Sequence, residues 1–169
     1  MPSTPHPSPV NKTLTIIDHL LIGTVIFITS AMVINVLWQV ATRYILNDPS
    51  SYTEEIARFL LIWIGLLGGA YAYRSNAHIG LDIITKNLQG LTKTVTELFA
   101  LVVVFLFSAI VMAYGGSQLV LLTLELQQIS ASLGIPIGYV YTVIPLSGAL
   151  ICLYSLVSIA DCLRSHKEA

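Results

Sequence analysis

Long apolar runs separated by short polar stretches dominate this chain. With charged positions as boundaries, 24 uncharged residues separate Asp18 from Arg43, 15 separate Arg58 from Arg74, 27 separate Glu97 from Glu125 and 35 separate Glu125 from Asp161. A helix rises about 1.5 Å per residue, so about 20 apolar residues cross a hydrocarbon core of about 30 Å. Three of the intervals suffice as they stand. The second spans only if residues 53–56 and Ser75 join it, with Arg58 and Arg74 snorkelling into the two headgroup regions. The pattern predicts an all-α integral membrane protein with four transmembrane helices, over about 16–43, 53–75, 94–124 and 136–161.

The periodicity changes between the second and third spans. Asp82, Lys86, Gln89 and Lys93 recur at spacings of four, three and four, while Leu81, Ile84, Leu88, Leu91 and Val95 fall on the opposite side. This predicts an amphipathic interfacial helix over about 79–91, interrupted at Gly90, with Asp82, Lys86 and Lys93 on its polar face. The third span is long enough to reach about 40 Å, so it must tilt or project. Tyr114-Gly115-Gly116-Ser117 is its weak point, and Pro145 should kink the fourth span. Ile135-Pro136 starts that span, with Tyr139 and Tyr141 in an interfacial aromatic belt.

Outside the membrane domain, 15–163, lie a proline-rich tail over 1–14, which reads as disordered, and a short tail over 164–169. The first apolar run, 20–42, is too long for a cleaved signal peptide and is followed by no small-x-small site.

Composition agrees with the pattern. Of 169 residues 55% are hydrophobic and 10% charged, against about a quarter charged in a soluble domain. The sign of the charges sets orientation: Lys12, Arg74, Lys86, Lys93, Arg164 and Lys167 fall on one side and only Arg43 and Arg58 on the other. Basic residues stay inside, so both termini are expected in the cytoplasm, and Asp48, Glu54, Glu55 and Glu125 face the outer compartment. A net charge of −1 without a basic run excludes nucleic acid as a partner.

The chemistry of the spans points to structure more than to catalysis. Ala31, Asn35, Gln39 and Thr42 share one stripe of the first span, suited to interhelical hydrogen bonds. Asp48-Pro49, or Ser51 with Glu54, can cap the second span. Glu54 precedes Arg58 by four residues, the favourable order for an ion pair, and the acids Glu54 and Glu55 suit a helix start or a salt bridge to Arg43 or a partner. Gly65 with Gly69, and Gly68 with Ala72, are small-xxx-small pairs that imply close helix packing.

Four histidines, His6, His19, His78 and His166, all at span ends, in a loop or in tails, cannot ligate a haem within the bilayer. Cys152 and Cys162 are packing residues, and no metal site is expected. There is no phosphate-binding loop, and no carboxylate is expected in the body of a span, where a self-contained ion-coupled carrier usually needs one. The chain therefore reads as a component and not an enzyme. A free-standing four-helix channel or exporter and a membrane anchor for a redox enzyme are the alternatives.

Several short motifs, in order, resemble one family. They are Arg43-Tyr44, Thr53-Glu54-Glu55 with Ala57-Arg58 and Trp63, Gly68-Gly69-Ala70, Arg74, His78-Ile79-Gly80-Leu81-Asp82, and Leu133-Gly134-Ile135-Pro136 with Tyr141 and Pro145. Together they are similar to the small membrane subunit of the tripartite ATP-independent periplasmic (TRAP) transporters, over about 36–150. Tyr52 departs from the pattern, which more often has tryptophan there.

The resemblance implies a scaffold subunit in the bacterial inner membrane. Its partners would be a large multi-span elevator subunit, a periplasmic substrate-binding protein and the lipid bilayer. Transport would be sodium-driven uptake of an organic acid anion, sialic acid or a C4-dicarboxylate. No cofactor is expected on this chain, sodium is expected on the large subunit, and a bound phospholipid is compatible with the surface. Asn35, Gln39, Arg43, Gly65, Gly69 and Tyr114 are the candidates for subunit contacts. Asp48, Glu54, Glu55, Arg58, Glu125, Gln127 and Gln128 are those for periplasmic docking.

Overall fold

Each apolar interval folds as a helix. In the computed structural model, which describes residues 9–45, 50–85 and 91–167 and the side chains of 14–45, 50–75, 92 and 95–163, α1 is Pro9–Tyr44 and α2 is Ser51–Thr85. The third span is one rod built from α3 (Leu91–Phe107), a π-helical segment (Ser108–Gly115) and α4 (Gly116–Glu125). The fourth is α5 (Ile137–Tyr141) followed by α6 (Val143–Lys167). Four stretches are long and apolar enough to cross a membrane: Leu14–Tyr44, Ser51–Ser75, Val95–Glu125 and Ile137–Leu163.

The interfacial segment is partly placed. Residues 79–85 are helical and continue α2 without a break, whereas Lys86, Gln89 and Gly90 lie outside the described residues. So do the side chains of Asp82 and Lys93, the Asp48-Pro49 pair and the proline-rich residues 1–8.

Both expected irregularities are present, and they meet. The glycine-containing weak point of the third span is the end of the π segment. Pro145 has no N–H to offer the Tyr141 carbonyl, and the fourth span breaks at Thr142, three residues before it. A Cβ added to Gly116, which follows the π segment, would stand 2.8 Å from Ile144 Cγ2 and 3.1 Å from Pro145 Cδ. The distorted turn of one span is therefore seated on the break in the other. Trp63 of α2 reaches the same break and donates its indole N–H to the Val140 carbonyl at 3.1 Å.

The helices are ordered α1, α2, α6, then the third-span rod. The fourth span is the hub: 33% of its apolar window is buried, against 11% in each of the others. Its inner face carries Ser147, Gly148, Ser155 and Ser158, all buried, which lets the rod approach closely. A Cβ at Gly148 would meet Met112 Cβ at 2.7 Å, and one at Gly138 would meet Leu124 Cγ at 2.6 Å. The Ser155 hydroxyl adds a buried hydrogen bond of 3.0 Å to the Leu101 carbonyl.

Within the chain, close packing at glycine falls on this seam and not on the small-xxx-small pairs of α2, whose expected contact with another subunit is left open. Gly65, Gly68 and Gly69 have no atom within 4 Å of an added Cβ, and Gly65 and Gly69 are exposed. The inward face of α2 instead carries Thr53, Leu67 and Ala70, with Trp63 half-buried. Adding a side chain where there is no room costs about 1–3 kcal/mol. Gly148→Leu should therefore lower the thermal unfolding midpoint of the purified chain in detergent, while Gly65→Leu with Gly69→Leu leaves it unchanged.

Candidate functional site

At the Arg43 end of the bundle, the acids of α2 divide their work. Glu54 pairs with Arg58 at 2.9 Å, and both side chains are about two-thirds exposed. Glu55 turns inward. Its Oε2 accepts the backbone N–H of Ser132 at 2.9 Å and of Leu133 at 3.1 Å, so one carboxylate clamps the turn that joins the third and fourth spans. Bonds of this kind, made to an ionised acceptor, are shorter and stronger than those between neutral groups.

The turn is also closed on itself. Ser130 N–H donates to the Ile135 carbonyl at 2.9 Å, and Ile137 N–H to the Gln128 carbonyl at 2.9 Å. Gly134, at φ +68°, takes the left-handed conformation that a Cβ disfavours. Gln127 is likewise left-handed, at φ +48°. Glu125, Gln127 and Gln128 stand exposed on this turn. Asp48 lies outside the described residues. Arg43 is exposed and makes no ion pair with Glu54 or Glu55; its guanidinium lies 6.0 Å from the centre of its neighbour's ring, Tyr44.

Asn35 makes the interhelical bond its stripe implied. Its Nδ2 donates to the Thr53 carbonyl at 2.8 Å and so ties α1 to the first turn of α2. Gln39 is half-buried with no side-chain hydrogen bond among the described residues. Tyr114 is 66% exposed, on the outside of the third-span rod.

The opposite end holds a cluster that the charge spacing did not reveal. Arg74 stands one residue from the end of its span; its Nε lies 3.5 Å from Asp18 Oδ2, and its guanidinium sits 5.6 Å from the Tyr154 ring centre. Tyr154, 1% exposed, donates its hydroxyl to Asp18 Oδ1 at 2.8 Å. Three helices, α1, α2 and α6, are tied by one ion pair, one hydrogen bond and one cation–π contact. Asp18 had been read only as the edge of an apolar interval, yet it faces inward within the first span. A tyrosine in the body of an apolar run is the signal that could have found it, because a buried phenol needs an acceptor. Among the described residues no three His, Cys, Asp or Glu side chains gather in a way that could hold a metal ion.

A four-helix chain with its charges confined to the two ends can now be compared with known proteins. Residues 32–165 match the DctQ component of the tripartite ATP-independent periplasmic transporters. The chain belongs to this family.

Among DctQ-family relatives, the sialic acid TRAP transporter small permease protein SiaQ of Vibrio cholerae is 30% identical over 120 residues, covering 68% of this chain and 69% of its own. The C4-dicarboxylate TRAP transporter small permease protein DctQ of Rhodobacter capsulatus is 29% identical over 101 residues, 60% of this chain and 44% of its own. The isethionate TRAP transporter permease protein DctMQ of Oleidesulfovibrio alaskensis is 29% identical over 140 residues, 79% of this chain but 22% of its own. The DctQ match places the chain among transporter components and away from redox-enzyme anchors. It covers the Glu55 clamp, the π segment and the break at Thr142, and it begins after Asp18.

The end cluster therefore makes its own prediction. Asp18→Ala would leave the half-buried Arg74 without its counter-ion, at about 1–3 kcal/mol. Tyr154→Phe removes one hydrogen bond, at about 1 kcal/mol. Unfolding of the purified variants should rank them in that order below the unmodified chain.

Proposed function

We propose that this chain is the small, static membrane subunit of a TRAP transporter, paired with a large multi-span subunit that carries the substrate and sodium sites. The carrying observation is its membership of the DctQ family, together with span polar groups that are bonded largely within the chain, to their own helix or to a neighbouring one. In DctMQ a segment like this chain forms about a fifth of a longer permease protein, which supports a large membrane partner. The subunit lies in the bacterial inner membrane with both termini in the cytoplasm, and this orientation follows from the distribution of Lys and Arg.

Transport is sodium-driven and ATP-independent, and the substrate is an organic acid anion delivered by a periplasmic binding protein. The relatives' names carry sialic acid, a C4-dicarboxylate and isethionate. All three are organic anions, and sialic acid or a C4-dicarboxylate is the substrate proposed here. The binding protein docks over the Arg43 end, where Glu54, Arg58, Glu125, Gln127 and Gln128 are exposed and Asp48 falls between the first two spans. Glu55 contributes indirectly, by fixing the turn.

Uptake into proteoliposomes tests the reading. Substrate should accumulate under an inward sodium gradient only when this chain, the large subunit and the binding protein are all present. Glu54→Lys with Glu125→Lys should reduce uptake severalfold while leaving the membrane complex assembled. Uptake by the large subunit and binding protein alone, or by this chain alone, would refute it.

A further inference from the structure

The two charged levels of the molecule give a ruler for depth. Leu101 is level with the Asp18–Arg74–Tyr154 cluster, since its carbonyl binds Ser155, the neighbour of Tyr154. Glu125 ends the same rod at the other side. Tyr114 lies 13 residues from Leu101 and 11 from Glu125. At about 1.5 Å per residue this puts it near the bilayer midplane, with Gln118 about one turn nearer Glu125.

Polar side chains at that depth are otherwise satisfied at home. The hydroxyls of Thr29, Ser30, Ser108 and Ser147 donate to carbonyls of their own helices at 2.7–3.0 Å, and Ser117 donates to Ala113. Tyr114 and Gln118 do not follow them. Both are exposed, they point from neighbouring turns of one rod, and neither side chain has a hydrogen bond among the described residues. Tyrosine favours the headgroup level, and an unpaired amide in hydrocarbon is costly, so lipid tails are a poor neighbour for this face. Gly115 lies between them, exposed, with only its own helix's Ile110 carbonyl near an added Cβ, at 3.5 Å. A second helix can approach closely there.

We propose that Tyr114, Gly115 and Gln118 form the mid-membrane seat for a helix of the large subunit, which supplies a hydrogen-bonding side chain or a freed backbone carbonyl at the midplane. This rests on the small-subunit reading above. The occupant is the large subunit and not a second copy because in DctMQ the segment similar to this chain is 22% of one longer permease chain, so the remainder of a permease is the neighbour such a segment is built beside. The π segment ends on this seat, at Gly115.

The test uses the complex co-expressed with a tagged large subunit. Tyr114→p-benzoylphenylalanine, irradiated in membranes, should form an adduct with the large subunit. Tyr114→Phe with Gln118→Leu, two changes that suit lipid better than the native residues, should lower the large subunit retained in detergent about three- to tenfold. Adducts with lipid or with a second copy only, while the unmodified chain still retains the large subunit, would overturn the seat and leave the broader reading intact. Loss of the large subunit from the unmodified chain would overturn both.

Discussion

Every polar group carried into hydrocarbon must find its hydrogen bond there, and most of this structure can be read as a response to that requirement. Water cannot complete an unfinished bond at the midplane. Serine and threonine hydroxyls turn back to the carbonyls one turn earlier. Asn35 spends its amide on Thr53, Trp63 its indole on the broken turn of the fourth span, and Tyr154 its phenol on Asp18. The bonds of Asn35, Trp63 and Tyr154 also join one span to the next, so pairing these side chains and assembling the helices are the same event.

The charges obey the same rule in a different form. Arg74 and Asp18 are partly buried, and each has the other as counter-ion. Glu55 is held by backbone donors and fixes a turn. Glu54 and Arg58 form an ordinary exposed pair, worth little to stability and therefore available to a partner. None of these groups lies near mid-depth.

Four spans were legible from charge spacing alone, because a hydrocarbon core imposes a minimum length that few other structures require. The weak point at Tyr114 to Ser117 and the kink at Pro145 were legible too, since glycine and proline act locally. Packing partners were not. Gly65 and Gly69 fit the small-xxx-small pattern, yet the seam formed at Gly116, Gly138 and Gly148, where a bulky neighbour on another helix faces each glycine. A pattern along one helix cannot say which face meets which. The Asp18–Arg74–Tyr154 cluster was missed for the same reason, its members being 56 and 80 residues apart in sequence. The motifs that resembled the TRAP small subunit carried the family correctly, whereas the individual docking residues depend on chains that the sequence does not contain.

The most direct measurement is the mass of the intact complex. Native mass spectrometry after purification through a tag on this chain, co-expressed with the large subunit, should give a species with one copy of each. A homo-oligomer of this chain, with the large subunit expressed in the same membrane and absent from it, would contradict the account.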